Sequence, residues 1–263
     1  MGVIVNTKLP ELGRIRIGIK GDRGQPQRLA TFRLTSNDKN ALMEAARIFG
    51  GSVVPWNGDD HQHKLQLITK VAEIPIIIAP VPHSQWYEKW ARGSKQSKCD
   101  GITCTTYRPG QKSGEVVEVQ QACTCPPPES TDKRECSLKT RAWFVLPDIP
   151  GLGVWRYETG GIFAAMELPG ILNFLAAQKL SNMYPEASLV LDQRKIMKAG
   201  VAKVFPVVTI RLKESMRQLQ ANARQAGILG PSTNAQIDAP TVKMIEGNND
   251  ADAPAEIILE VPA

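Results

Sequence analysis

All five cysteines of this chain, Cys99, Cys104, Cys123, Cys125 and Cys136, fall in one stretch from about Trp90 to Lys139. That stretch is polar, carries the run Pro126-Pro127-Pro128, and has too few apolar residues to bury a core of its own. Something other than hydrophobic burial must organise it. The spacing Cys99-x4-Cys104, Cys123-x-Cys125 and then Cys136 suits a structural zinc held by four thiolates, so four of the five are expected to be ligands. The binding energy of the metal would replace the missing core, because no such site exists in the unfolded chain. A four-thiolate site leaves no position for water and points to a scaffold rather than to catalysis. An odd number of cysteines and no visible secretory leader argue against a disulfide framework.

The flanking segments can fold conventionally. Over 263 residues the chain is 42% hydrophobic and 22% charged, which excludes wholesale disorder. Gly13 to Lys20 alternates apolar and basic residues, as a half-buried strand does. The turn chemistry of Gly21 to Pro26 leads to a returning strand, Leu29 to Leu34, and so predicts a hairpin. Ser36 or Asn37 is placed to cap a helix over 39–49 that Gly50-Gly51 ends. Strands are expected over 65–72 and 73–79. Beyond the cysteines, strands are expected over 141–146, 154–158 and 162–167, and a helix over 169–180 with Pro169 in its first turn. A hairpin over 188–212 and a helix over 214–226 follow. The expected fold class is therefore α+β: two mixed strand/helix halves, residues 1–90 and 141–230, flank a cysteine-rich, zinc-stabilised insert, 91–140. A disordered acidic tail, 231–263, ends the chain.

The net charge of +6 conceals an asymmetry. The tail carries −5 and the first 230 residues +11. Basic residues gather in the first hairpin, with Arg14 and Arg16 on one strand face, and in the last hairpin and helix, which include Arg211 and Arg217. Such stripes face either phosphate or water. Neither region interleaves aromatics along the chain as single-strand binding platforms do.

Other chemistries find little support. No Walker-type glycine loop, no Gly-x-Ser-x-Gly elbow and no strand-linked Gly-x-Gly-x-x-Gly occurs, so nothing asks for a nucleotide cofactor or marks a catalytic site. Asp59-Asp60-His61-Gln62-His63 is the candidate for a hydrolytic metal cluster, in a chain whose other histidine is His83. The longest apolar run, Ile74 to Pro82, is broken by three prolines and is far too short to span a membrane.

Several strings, in order, resemble one family. They are Gly13-Arg14-Ile15-Arg16-Ile17-Gly18; Phe32-Arg33-Leu34-Thr35-Ser36; Gly50-Gly51 followed by Trp56; Cys99-Asp100-Gly101; Cys123-Thr124-Cys125-Pro126; Cys136 before Thr140-Arg141; and PDIPGLGVWRYETGG from Pro147 to Gly161. Over about residues 12–170 the chain resembles the recombination directionality factor-like proteins that partner phage large serine integrases. The resemblance implies a non-enzymatic role: binding the integrase on the coiled-coil segment of its C-terminal region and favouring excision over integration. DNA would be reached mainly through the integrase complex, with no membrane and no small-molecule substrate involved. It also implies a cytoplasmic, nucleoid-associated protein in a bacterial host. Cys99, Cys123, Cys125 and Cys136 match the cysteine positions of the family, and Cys104 is an addition. Gly160 stands where many relatives carry histidine, and the acidic tail is not a hallmark of the family. Phe205, Arg211, Met216 and Arg217 on the last hairpin and helix are the expected partner-binding residues. Two alternatives are a zinc-stabilised phage protein that binds nucleic acid directly, and a zinc-dependent hydrolase built on His61 and His63.

Overall fold

The computed structural model describes residues 10–21, 23–56, 63–110, 114–126, 134–178, 180–198 and 201–229. The expected acidic tail lies outside them. The described fold is mostly β-sheet with three helices, a mixed class of the α+β kind.

The first hairpin forms as its alternation requires. Strand β1 (Glu11–Lys20) pairs antiparallel with β2 (Pro26–Ser36). Ile15 is buried, while Arg14 and Arg16 project from the other face. Helix α1 (Lys39–Phe49) follows, and it buries Ala41, Leu42, Ala45 and Phe49. Its N-cap is Asp38, not Ser36 or Asn37: the Asp38 carboxylate accepts from the Ala41 backbone N–H at 3.0 Å. Ser36 instead donates to the Leu12 carbonyl, and Asn37 accepts from the Lys64 N–H. Both are thereby used to tie neighbouring segments to the sheet.

Two short strands, β3 (Val53–Pro55) and β4 (Leu65–Ile68), extend this edge. Strand β5 then runs from Glu73 to Ala91, much further than the sequence pattern indicates. Its far half continues into an antiparallel arm of β6 (Ser94–Cys99), β7 (Thr103–Pro109) and β8 (Val116–Ala122). The cysteine-rich stretch therefore folds as strands continuous with the main sheet. Next come β9 (Ser137–Val145) and β10 (Val154–Thr159). The sheet order is β3-β4-β2-β1-β10-β9-β5-β6-β7-β8. Among the described residues, β1 with β10 is the parallel pairing, joining Arg14 to Arg156 and Ile15 to Tyr157 in register. It brings the first and last thirds of the described chain side by side. Gly13 permits that approach, since a Cβ there would lie 2.5 Å from the Trp155 ring.

The expected strand over 162–167 is not one. Helix α2 spans Ile162–Ala177 and places Pro169 in its interior rather than in its first turn. An interior proline leaves the carbonyl four residues earlier without its donor. Here that carbonyl belongs to Ala165, and the Gln85 side chain on β5 donates to it at 2.8 Å. A tertiary hydrogen bond thus lets the helix run through the proline, which no local signal reveals. Strands β11 (Glu186–Lys198) and β12 (Val201–Leu212) form the expected hairpin, docked on β5 through β11. Helix α3 (Met216–Gln225) starts at a capping box of Ser215 and Gln218.

One apolar cluster lies under one face of the sheet. Phe32, Leu34, Phe144, Trp155 and Tyr157 from the strands meet Leu42 of α1, Leu168 and Leu172 of α2, and Leu219 of α3. Each large side chain fully buried here contributes about 1.5–3 kcal/mol. Strands from segments 1–90, 91–140 and 141–230 all enter the same sheet, and the chain through Leu229 forms one compact unit.

Candidate functional site

The thiols gather at the base of the β6–β8 arm. Cys99 ends β6 and is the register partner of Cys104 on β7. The turn between them is an Asp100 motif whose carboxylate accepts from the N–H groups of Ile102 and Thr103 at 2.8 and 2.7 Å. Those two backbone donors hold the Asp100 carboxyl below its ordinary value. The chain leaves β8 with the Cys123 N–H donating to the Ile102 carbonyl at 2.7 Å, which sets Cys123 beside Cys99. Cys136 enters just before β9 and is buried.

Two sulfur pairs result. Cys99 Sγ lies 3.6 Å from Cys123 Sγ, and Cys125 Sγ lies 3.7 Å from Cys136 Sγ. Burial pushes the Cys99 thiol up to about 12 and the Cys136 thiol up to about 11. Burial also works against ionisation of Cys123. There the Cys125 N–H, the Cys99 and Cys125 side chains and the Arg134 charge prevail and hold the thiol below its ordinary value. The Arg134 guanidinium stacks on Tyr87 at 4.0 Å, and its buried Nε and Nη1 have no hydrogen-bond partner. A cation with idle donors thus stands against a thiol cluster.

These features can be compared with a zinc site. Thiolates at 2.3 Å from zinc at tetrahedral corners are about 3.8 Å apart, close to both observed separations. The donor chemistry also fits, with Arg134 placed to offset part of the negative charge that four thiolates carry. Among the described residues, however, no group of three or more His, Cys, Asp or Glu converges as a ready-made metal site. The pairs have the spacing of two edges of a tetrahedron and would have to draw together to complete it.

The remaining candidates fall elsewhere. Phe205 is half-buried on β12 and stacks on Phe163 of α2 at 5.3 Å. Met216 is partly buried against the core. Arg211 is exposed and pairs with Glu73 at 2.9 Å, and Arg217 is exposed on α3. Asp59, Asp60 and His61 lie outside the described residues. His63 is buried, with Nδ1 3.0 Å from the Thr35 hydroxyl. His83 is half-buried on β5, and that burial lowers its pKa.

Sequence reasoning missed a buried carboxylate. Glu88 is 2% exposed and receives two bonds from Arg141, at 2.8 and 2.7 Å, one from Lys95 at 2.8 Å and one from the Trp90 indole at 2.9 Å. Nothing in the sequence marks it, because Lys95 and Arg141 reach it from the neighbouring strands β6 and β9. No described helix is long and apolar enough to cross a membrane.

Compared with known families, residues 12–213 match the family model described as Gp3-like: Recombination directionality factor-like. No solved structure matches the chain.

Proposed function

We propose a directionality role for this chain, which belongs to the Gp3-like, recombination directionality factor-like family. In this reading it binds a large serine integrase, on the coiled-coil segment of the C-terminal region of that enzyme. It switches the integrase from integration (attP × attB) to excision (attL × attR). The observation that carries the reading is the extent of the family match. It runs from β1 to the end of β12, so it covers the whole sheet rather than one motif.

The physical requirement is differential affinity. The factor must bind the excision-competent synapse better than the integration-competent one, and about 5.5 kcal/mol of difference carries an equilibrium from 1:99 to 99:1. Phe205, Met216, Arg211 and Arg217 are the residues assigned to the contact. Arg211 and Arg217 are exposed and can meet a partner directly, whereas Phe205 and Met216 would act by shaping the surface beneath. In this reading the thiol cluster is a structural zinc site. It draws four ligands from Cys99, Cys104, Cys123, Cys125 and Cys136, and the observed sulfur pairs favour the set without Cys104. The metal would fix the base of the arm and take no part in chemistry.

The test is a recombination assay with a large serine integrase encoded in the same genome. Adding the protein should switch on attL × attR recombination and inhibit attP × attB. No effect on either reaction refutes the reading. Arg211→Glu/Arg217→Glu should weaken capture of that integrase, and undiminished capture by the folded double variant moves the contact elsewhere. Metal analysis should find one zinc per chain, lost in Cys125→Ser and retained in Cys104→Ser. Folded protein free of metal removes the zinc assignment.

A further inference from the structure

The sheet has two faces, and the apolar cluster occupies one of them. On the other, register places side chains that are far apart in sequence next to one another. Arg33 on β2 is opposite Arg16 on β1, Arg14 is beside Arg156 on β10, and Arg156 is opposite Trp143 on β9. Arg141 is opposite both Glu158 and Ser84, Lys139 is opposite Trp86 on β5, and Lys98 on β6 is opposite Glu88. The helices do not compete for this face: α1, α2 and α3 bury their apolar residues in the cluster on the other side.

Cations dominate the charge here. Glu11, Glu158 and Glu88 are each shared between two of them: Glu11 between Arg14 and Arg156, Glu158 between Arg141 and Lys139, and Glu88 between Arg141 and Lys95. Arg16 and Lys98 stand on the same face, and Arg33 is buried against the Trp56 ring and donates to Gln66. The crowding is physical: burial and the neighbouring charge of Arg14 together lower the pKa of the Arg156 guanidinium, against partial support from Glu11. A face that packs like charges so closely is stabilised by a polyanion.

Aromatic rings are interspersed among these cations. Four of the five tryptophans lie with this face, and Trp155 alone is in the core. Arg16 and Arg33 stand over the Trp56 ring at 5.0 and 4.9 Å, Lys98 over Trp86 at 5.1 Å, and Lys95 over Trp90 at 5.5 Å. Trp90 is half exposed, at 52%, although its indole N–H is already anchored on Glu88. It is a ring held in place with its apolar surface offered to solvent. Cationic tracks with flat rings at intervals are how sheets hold single strands, the phosphates meeting the charges and the bases stacking on the rings. A duplex keeps its bases stacked on each other and cannot use the rings. At a strand spacing of about 4.8 Å, the five steps from β2 to β6 span roughly 24 Å, a length within the reach of a short oligonucleotide.

We propose that the outer face of the sheet, from Trp56 and Arg16 across Arg156 and Trp143 to Trp86, Lys98 and Trp90, binds single-stranded nucleic acid in a sequence-tolerant manner. This activity is independent of the integrase and goes beyond the directionality role. The full chain is titrated with fluorescein-labelled oligo(dT) of fifteen nucleotides and with a fifteen-base-pair duplex. Anisotropy and tryptophan emission are followed with no integrase present. The oligo(dT) should bind at least tenfold more tightly than the duplex and quench tryptophan emission. With about four phosphates neutralised, its affinity should fall with a log–log salt slope near −3. Trp90→Ala should weaken binding roughly tenfold or more, and Lys98→Glu should weaken it and flatten the salt slope. Arg47→Glu, on α1, should leave it unchanged. Failure to bind at 50 mM salt, equal or tighter binding of the duplex, or indifference to both folded face variants overturns the proposal. So does preferential binding of a poly-glutamate peptide, which would make the face a dock for an acidic protein.

Discussion

Replacing Glu88 by glutamine isolates the buried charge that β5 contributes to the outer face. Burial alone would raise the Glu88 pKa. The hydrogen bonds from Arg141, Lys95 and Trp90 outweigh burial and bring it down to about 2. Relative to an ordinary 4.5, that depression corresponds to roughly 3 kcal/mol of stability when the group is charged in both states. Lys95 is about a third exposed and the β6–β8 arm is thin, so solvent screening reduces the figure to about 2 kcal/mol. The sign follows from the direction of the shift. A carboxyl with a depressed folded pKa stabilises the protein fully above about pH 4.5 and loses that contribution as the pH falls towards 2, with about half gone by pH 3. Urea unfolding of wild type and Glu88→Gln, followed by tryptophan fluorescence at pH 7, 5 and 3, measures the difference. The variant should be about 2 kcal/mol less stable at pH 7 and 5, and about 1 kcal/mol less stable at pH 3. A difference below about 0.5 kcal/mol at pH 7, or one that does not shrink at pH 3, refutes the electrostatic account.

Three further perturbations test the fold. Gln85→Leu leaves the Ala165 carbonyl without its donor and should cost about 2 kcal/mol by chemical denaturation. In a Pro169→Ala background the helix regains its own N–H donor, so the same change should cost at least about 1 kcal/mol less, and equal costs in both backgrounds would contradict the assignment. Gly51→Ala sets a Cβ 2.1 Å from the Ile68 carbonyl oxygen at a φ of +97°. It should cost more than about 3 kcal/mol and lower the melting temperature by at least about 6 °C, because the backbone itself must shift. Asp38→Ala removes the N-cap of α1 and should cost about 1 kcal/mol, read as a drop of roughly 2–4 °C in a thermal melt.

Local pattern made some elements legible and left others hidden. The alternation of Gly13 to Lys20 gave the first hairpin, and the spacing of apolar residues in 39–49 gave α1, because each element satisfies its own backbone. The part of helix α2 before Pro169 was hidden because its continuity through that proline depends on Gln85, some eighty positions away. The arm was hidden for a related reason: Lys95, Lys98 and Trp90 are held by cross-strand partners, and the apolar content that marks a core strand is missing. The cysteines stood out by composition, but their pairing as Cys99 with Cys123 and Cys125 with Cys136 follows from strand ends meeting in space. The outer face is the clearest case. Read along the chain, no basic segment interleaves aromatics; read across strands, cations and tryptophans alternate.

The parallel pairing of β1 with β10 also governs how the chain is made. Glu11 waits for Val154, so at about 5–20 residues per second the inner edge of the hairpin stays unpaired on the ribosome for roughly 7–30 s. An open strand edge is a template for unwanted pairing, and charged side chains are a recognised protection against it. Arg14 and Arg16 sit on that edge strand and repel a second copy of the same nascent hairpin on a neighbouring ribosome of the polysome. Nascent chains stopped before residue 154 should therefore remain dispersed with both arginines present and aggregate when both are replaced by threonine.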